Sequence, residues 1–213
     1  MSVANTDPNM LARGAMKGNL PILHFANAQV FANWLTTNGT ISPGAWLMFA
    51  KKGAGSISLT RQESIDAALC EGWIDGQGAV WDDSYFLVRF TPRRPRSNWS
   101  QVNRTRATEL IDLGQMRPCG LAEVDAAKAD GRWNAAYPPS STAEAPPDLQ
   151  AAIDASPSAA ARYAAMSRSE RYALILSLSN ARQPATRVRR IAALRAPAVG
   201  GDPQGSSYKP ETR

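Results

Sequence analysis

The sequence predicts an α+β fold: a small antiparallel or mixed β-sheet covered by helices, followed by an all-helical C-terminal subdomain. Three observations carry this. Short apolar runs (ILHF, AWLMFA, YFLVRF) alternate through the first half with segments whose apolar residues recur every three or four positions. A stretch rich in proline and small residues interrupts the pattern from Asn134 to Pro147 and reads as a linker. Beyond it, every periodic segment is helical.

Taken in order, residues 1–19 are polar and glycine-rich, a flexible N-terminus without the apolar centre of a secretory signal. A core domain over 20–133 follows. Ile22 to Phe25 is its first strand. Asn27 caps a helix carrying Val30, Phe31, Trp34 and Leu35 at helical spacing, with Gly39 as a left-handed stop. Ala45 to Lys52 is a second strand. Thr60 and Glu63 form a capping box, Ile65, Ala68 and Leu69 the buried stripe of that helix, and Gly72 its end. Trp73 to Asp75 is strand-like, and Gly76 and Gly78 suit a turn into the strand YFLVRFTP, by a hairpin or a longer loop. Ser97 or Ser100 opens a helix that ends at Gly114, with Val102, Leu110 and Leu113 available to the core. Met116 to Gly120 is a connector, and LAEVDAAKADG a short helix. In the helical subdomain, 148–196, Asp148 caps the first helix, Ser156-Pro157 starts the second, Ser167 and Glu170 box the third, and Pro184 opens the last. The Gly/Pro/Ser-rich tail, 197–213, is expected to be disordered.

The composition excludes several function classes. No apolar run approaches the roughly twenty residues that cross a bilayer as a helix, and a cytoplasmic location is expected. Two cysteines and one histidine, His24, cannot build a typical zinc site, so neither metal nor cofactor is called for. With one histidine and no G-x-S-x-G, no familiar hydrolase can be assembled. The net charge of +6 is uneven: −5 over residues 61–83, then +4 over 84–133 and +4 over 134–213. Arginine far outnumbers lysine.

The polar, aromatic block from Trp73 to Asn103 is more costly to bury than packing requires, and it marks the expected working face. Its candidate ligand-binding residues are Trp73, Asp75, Arg93, Arg94, Trp99 and Asn103, with Lys51 from the second strand. Pro92 and Pro95 stiffen the arginine segment, and guanidinium forks beside a tryptophan suit an anionic small molecule or an anionic protein partner. The same arginines could instead pair with Glu71, Asp75, Asp82 and Asp83. Trp34, Trp46 and Trp73 sit in apolar patterns and belong to the core, whereas Trp99 and Trp133 have polar neighbours and are expected to be partly exposed. Nucleic acid is an alternative partner, held by the arginine block and the last helix, where Arg187 and Arg190 flank Val188, Ile191 and Leu194. A further alternative is an enzyme that uses Asp75 with Lys51 or Lys52.

The segments ALCEGWIDG, PRRPRSNWS, Gly131 to Trp133 and ATRVRRI, with Phe31, Trp34, Trp46, Phe49, Lys51 and Lys52 ahead of them, resemble the YdeI/OmpD-associated, or bacteriocin-protection, family between Ile22 and Ala196. The resemblance implies a bacterial, soluble α+β protein with no established catalytic residues to carry over. The family's name suggests protection against bacteriocins or association with an outer-membrane porin. Ala185 stands where the family pattern has an acidic residue before Thr186-Arg187.

Overall fold

The structure, a computed structural model, describes residues 14–54, 58–181 and 183–194, so the expected tail and most of the expected flexible N-terminus lie outside the described residues. The chain divides into two compact units, 1–137 and 138–213.

In the first unit, β1 (Met16–Lys17), β2 (Leu20–His24), β3 (Ala45–Ala50), β4 (Trp73–Val80) and β5 (Tyr85–Pro92) form one mixed sheet in the order β1-β2-β3-β5-β4. Only β2 and β3 run parallel, joined through α1 (Ala28–Asn38); the other pairs are antiparallel. The central strand β3 is covered on both faces, which is why AWLMFA is apolar throughout instead of alternating. On one face Leu47, Phe49, Val88, Phe90 and Trp73 meet Phe31 and Leu35 of α1 and Ala68 of α2 (Arg61–Cys70). On the other, Leu20, Ile22, Trp46, Met48, Ala79 and Leu87 form a second cluster. A third lies between α2, α3 (Gln101–Asp112) and α4 (Pro118–Ala129), around Leu69, Trp99, Leu110 and Val124.

Local signals place most of these elements. The Asn27 side chain accepts from Val30 N, Thr60 and Glu63 complete their capping box, and Ser100 caps α3. Three expectations are corrected in this unit. Gly39 is right-handed, φ −61°; glycine is needed because a Cβ would approach Leu35 O at 2.5 Å and Trp73 Nε1 at 3.3 Å. Gly76 and Gly78 make no turn: β4 runs through them with a bulge between Asp75 and Gly78. The turn of the hairpin comes after Val80, where the Asp82 carboxylate accepts from Ser84 N and Tyr85 N. On α3 only Leu110 reaches the core, while Val102 and Leu113 are exposed.

The second unit holds α5 (Pro147–Asp154), α6 (Pro157–Ala165), α7 (Arg168–Ser179) and α8 (Pro184–Ala192) around Leu149, Ile153, Ile175, Leu178 and Leu194. Asp148 is not the cap of α5 but lies in its first turn, where it takes Arg187 of α8 in a two-pronged ion pair of 2.5 and 2.7 Å. Val188, expected beside Ile191 and Leu194 on the apolar side, is exposed. Arginines also close the helix ends: Arg187 and Arg190 donate to the carbonyls of Leu178 and Ser177, and Arg171 to those of Tyr163 and Ala164. Cations favour such positions because the last carbonyls of a helix are unpaired and its C-terminus is negative.

The Arg187 hydrogen bonds hold the Asp148 carboxyl below the ordinary aspartate range. A depressed carboxylate contributes stability that is present above its unfolded value, about pH 4, and lost as pH falls through the folded one. Thermal melts between pH 6 and pH 2 are therefore expected to show an acid loss below about pH 4 that Asp148→Asn diminishes. An unchanged acid limb in the variant would contradict this.

Candidate functional site

The loop between β5 and α3 is built from residues 93–99. Arg93 N donates to Gly72 O at 2.9 Å, which fixes the start of the loop against the end of α2. Arg94 and Ser97 then staple each other: Arg94 N to Ser97 Oγ at 3.0 Å and Ser97 N to Arg94 O at 2.9 Å. Between them Arg96 is left-handed at φ 65°, a conformation that is costly for a residue with a Cβ. Arg132 Nη1 holds the carbonyl of Ser97 from outside at 2.7 Å, while its Nε is bound to Asp130.

Arg93 turns inward. It is only 6% exposed, and its guanidinium carbon lies 3.6 Å from the centre of the Trp99 ring. Nη1 makes one long hydrogen bond, 3.4 Å to Asn98 O, while Nε and Nη2 find no partner among the described residues, and neither does Trp99 Nε1. Burial pushes Arg93 down to about 10, opposed by the nearby charge of Glu123, so the group remains a cation at neutral pH. Trp99 itself is 1% exposed and meets Trp133 edge-on at 4.9 Å. This corrects the expectation of an exposed Trp99: its sequence neighbours are polar, but the chain folds it between α3, α4 and the arginine. Trp133 is half-buried.

The other candidates separate. Trp73 is core, donating Nε1 to Gly39 O. Asp75 is bound to Arg61 at 2.8 Å. Asn103 is half-buried in the first turn of α3, its amide capped by Ser100. Arg94 and Arg96 are exposed and make no ion pair among the described residues, so the block is not locked onto the acids of 71–83. Lys51 lies elsewhere, donating to Asp82 O at the hairpin end. Asp75 pairs with Phe90, which pairs with Ala45, so Lys51 sits roughly 20 Å away along the strands. Asp75 and Lys51 therefore do not converge.

Sequence reading missed a cleft of about 760 Å³ between α1, α2 and the end of α3. Ala32, Ala67, Cys70 and Leu110 line it with Asp66, Glu71 and Arg117. Most of its polar side chains are already engaged. Arg106 forks onto Asp66, and Glu71 takes Thr36 Oγ1, the Cys119 thiol and, at 3.6 Å, Arg117. Burial pushes Cys70 up to about 11 and raises Cys119 as well, so neither is a ready thiolate at neutral pH. The one signal for this cleft was the acid-rich outer face of α2.

Residues 142–197 match the family described as bacteriocin-protection, YdeI or OmpD-associated. That match falls within the C-terminal unit. Residues 23–123, including GWIDG and the arginine loop, match a different description, a domain of unknown function (DUF8412). No curated protein and no solved structure matches the chain. In sequence, the segment matching the bacteriocin-protection family therefore follows the segment that holds the loop. Among the described residues no helix is long and apolar enough to cross a membrane.

Proposed function

We propose that the protein is a cytoplasmic binding protein of the bacteriocin-protection kind, and that it takes an anionic small molecule, or an anionic patch of a protein partner, at the loop of residues 93–99. The observation behind this reading is where the arginines go. Most described arginines are bound to a carboxylate or a helix-end carbonyl, but Arg93, Arg94 and Arg96 keep most or all of their donors unengaged within one stapled turn. Three cations gathered on one short segment favour an anion through their summed charge and their guanidinium donors. Nucleic acid gains less from the last helix: Arg187 and Arg190 are held internally, which leaves Arg189 as its outward cation among the described residues.

The test is calorimetric titration with phosphate, sulfate and small carboxylates at low ionic strength. Arg94→Ala/Arg96→Ala should weaken the binding seen with the wild type about tenfold and flatten its salt dependence, with the melting temperature little changed, since both side chains are exposed. Equal affinity in the double variant would remove the reading.

A further inference from the structure

We propose that the Nε–Nη2 edge of Arg93 is the receptor for one phosphoryl group, with Trp99 Nε1 as a third donor. This deepens the reading above, on which it rests, by naming the chemistry of the anion.

The molecule itself shows what this edge does when it is served. Arg106 places Nε and Nη2 on the two oxygens of Asp66 at 2.7 and 2.8 Å, and Arg187 places the same two nitrogens on Asp148 at 2.5 and 2.7 Å. Both are side-on forks, the geometry that suits an oxyanion with two adjacent oxygens. Arg93 has the same edge, more deeply buried than either, and no acceptor meets it. A buried cation without acceptors is destabilising, and such a group is retained where it serves something besides stability. Glu123 is the strongest opposing charge near it but makes no ion pair with it among the described residues.

The shape of the orphaned donor set selects among anions. The guanidinium carbon lies over the indole, 3.6 Å from the ring centre, and each of the two groups has an unserved N–H. A carboxylate gripped by the fork lies in the guanidinium plane, and its remaining lone pairs lie in that same plane, as where Asp66 and Asp148 also accept from Gln62 and from Leu149 N, so they point away from the indole. A tetrahedral oxyanion gripped the same way keeps oxygens out of that plane. Its second negative charge is matched by Arg94 and Arg96 on the same loop. The fork atoms are buried, so entry of the group requires a local opening, which we place in the turn from Arg94 to Asn98, whose Asn98 carbonyl holds the neighbouring Nη1. That turn is the one described place where a residue other than glycine is held left-handed.

The probes are inorganic phosphate, phenyl phosphate, benzoate and a short single-stranded oligonucleotide, titrated into the full chain by calorimetry and by the indole N–H resonances. Phosphate or phenyl phosphate is expected to bind and to shift an indole resonance that is missing in Trp99→Phe. Arg93→Lys, which keeps the charge and loses the fork, should weaken binding at least tenfold. Trp99→Phe should weaken phenyl phosphate severalfold without affecting benzoate. Tighter binding of the oligonucleotide than of either phosphate probe would overturn the phosphomonoester in favour of a phosphodiester chain. Benzoate bound as tightly as phenyl phosphate, or an unmoved Trp99 resonance, would overturn the proposal, and the resonance decides even if Arg93→Lys fails to fold. If Arg94→Ala/Arg96→Ala loses anion binding while Arg93→Lys keeps it, the loop reading stands and the fork does not. If no anion binds the wild type, both fall.

Discussion

Trp99→Ala is expected to cost the first unit about 3–5 kcal/mol, the range for truncating a buried aromatic side chain. Three losses coincide at this position. The indole is 1% exposed at the centre of the cluster shared by α2, α3 and α4, so its removal opens a cavity that Leu69, Val124 and Trp133 cannot all close. The edge-on contact with Trp133 disappears. Arg93 loses the ring that its guanidinium lies against, an interaction of about 2 kcal/mol when desolvated, and is left a buried cation with fewer neighbours. These terms share atoms and do not add. Against a typical domain stability of about 5–15 kcal/mol, the variant stands near the limit of folding at 37 °C. Urea denaturation followed by the remaining tryptophans measures this, and a loss below about 1 kcal/mol would show that the cluster does not depend on Trp99. Arg93→Met is the informative companion. It keeps a stem of similar length, removes the unserved donors, and should leave stability equal or higher while abolishing anion binding.

Gly120→Ala is the second large effect. Gly120 lies in the first turn of α4, pressed against the end of α2: a Cβ would overlap the carbonyl oxygen of Cys70 and lie 2.7 Å from that of Leu69. Both obstacles are backbone, so neither can rotate away. Arg117 N donates to the same Cys70 carbonyl at 3.1 Å, and Gly72, left-handed at φ 72°, faces Cys119 O from the other side. One methyl group would therefore push two helix ends apart. The expected cost is about 3 kcal/mol, the upper part of the usual range for overpacking, although alanine ordinarily favours a helix. The same urea titration checks it. A neutral result would mean that α4 shifts along α2 at little cost.

The elements legible in the sequence are those fixed by neighbours in the chain. Thr60 with Glu63, Ser167 with Glu170, Ser156 ahead of Pro157 and Asn27 each satisfy a backbone amide three residues away, so their signal is local, and the structure forms all four. YFLVRFTP is a strand over its full length, and its run of aromatic and β-branched residues made it visible although its ladder partners, β3 and β4, are other segments. The misreadings required knowledge of a distant partner. Gly76 and Gly78 look like turn glycines, but β5 alongside turns them into a bulged strand, and Asp82 makes the turn. Trp99 has serine, asparagine and arginine beside it in sequence, yet its burial is decided by Leu110, Val124 and Ala127. The candidate site was half legible. A stiff cationic segment could be seen, but not that Arg93 turns inward while Arg94 and Arg96 stay out, because that split depends on Gly72 O and Ser97 Oγ holding the turn.

The bulge in β4 has a consequence for behaviour at high concentration. β4 is an outermost strand, and a straight outermost strand offers a ladder of unused amides and carbonyls to any passing chain. Here that margin is broken midway by Gly76 and Gln77, which fall in the register shift between the Asp75–Phe90 and Gly78–Val88 pairs. The opposite margin, β1, is two residues long. A sheet blunted at both borders resists growing into its own copies, so the molecule can keep a crowded, uncompensated cationic turn near one end of that sheet without inviting fibrous assembly.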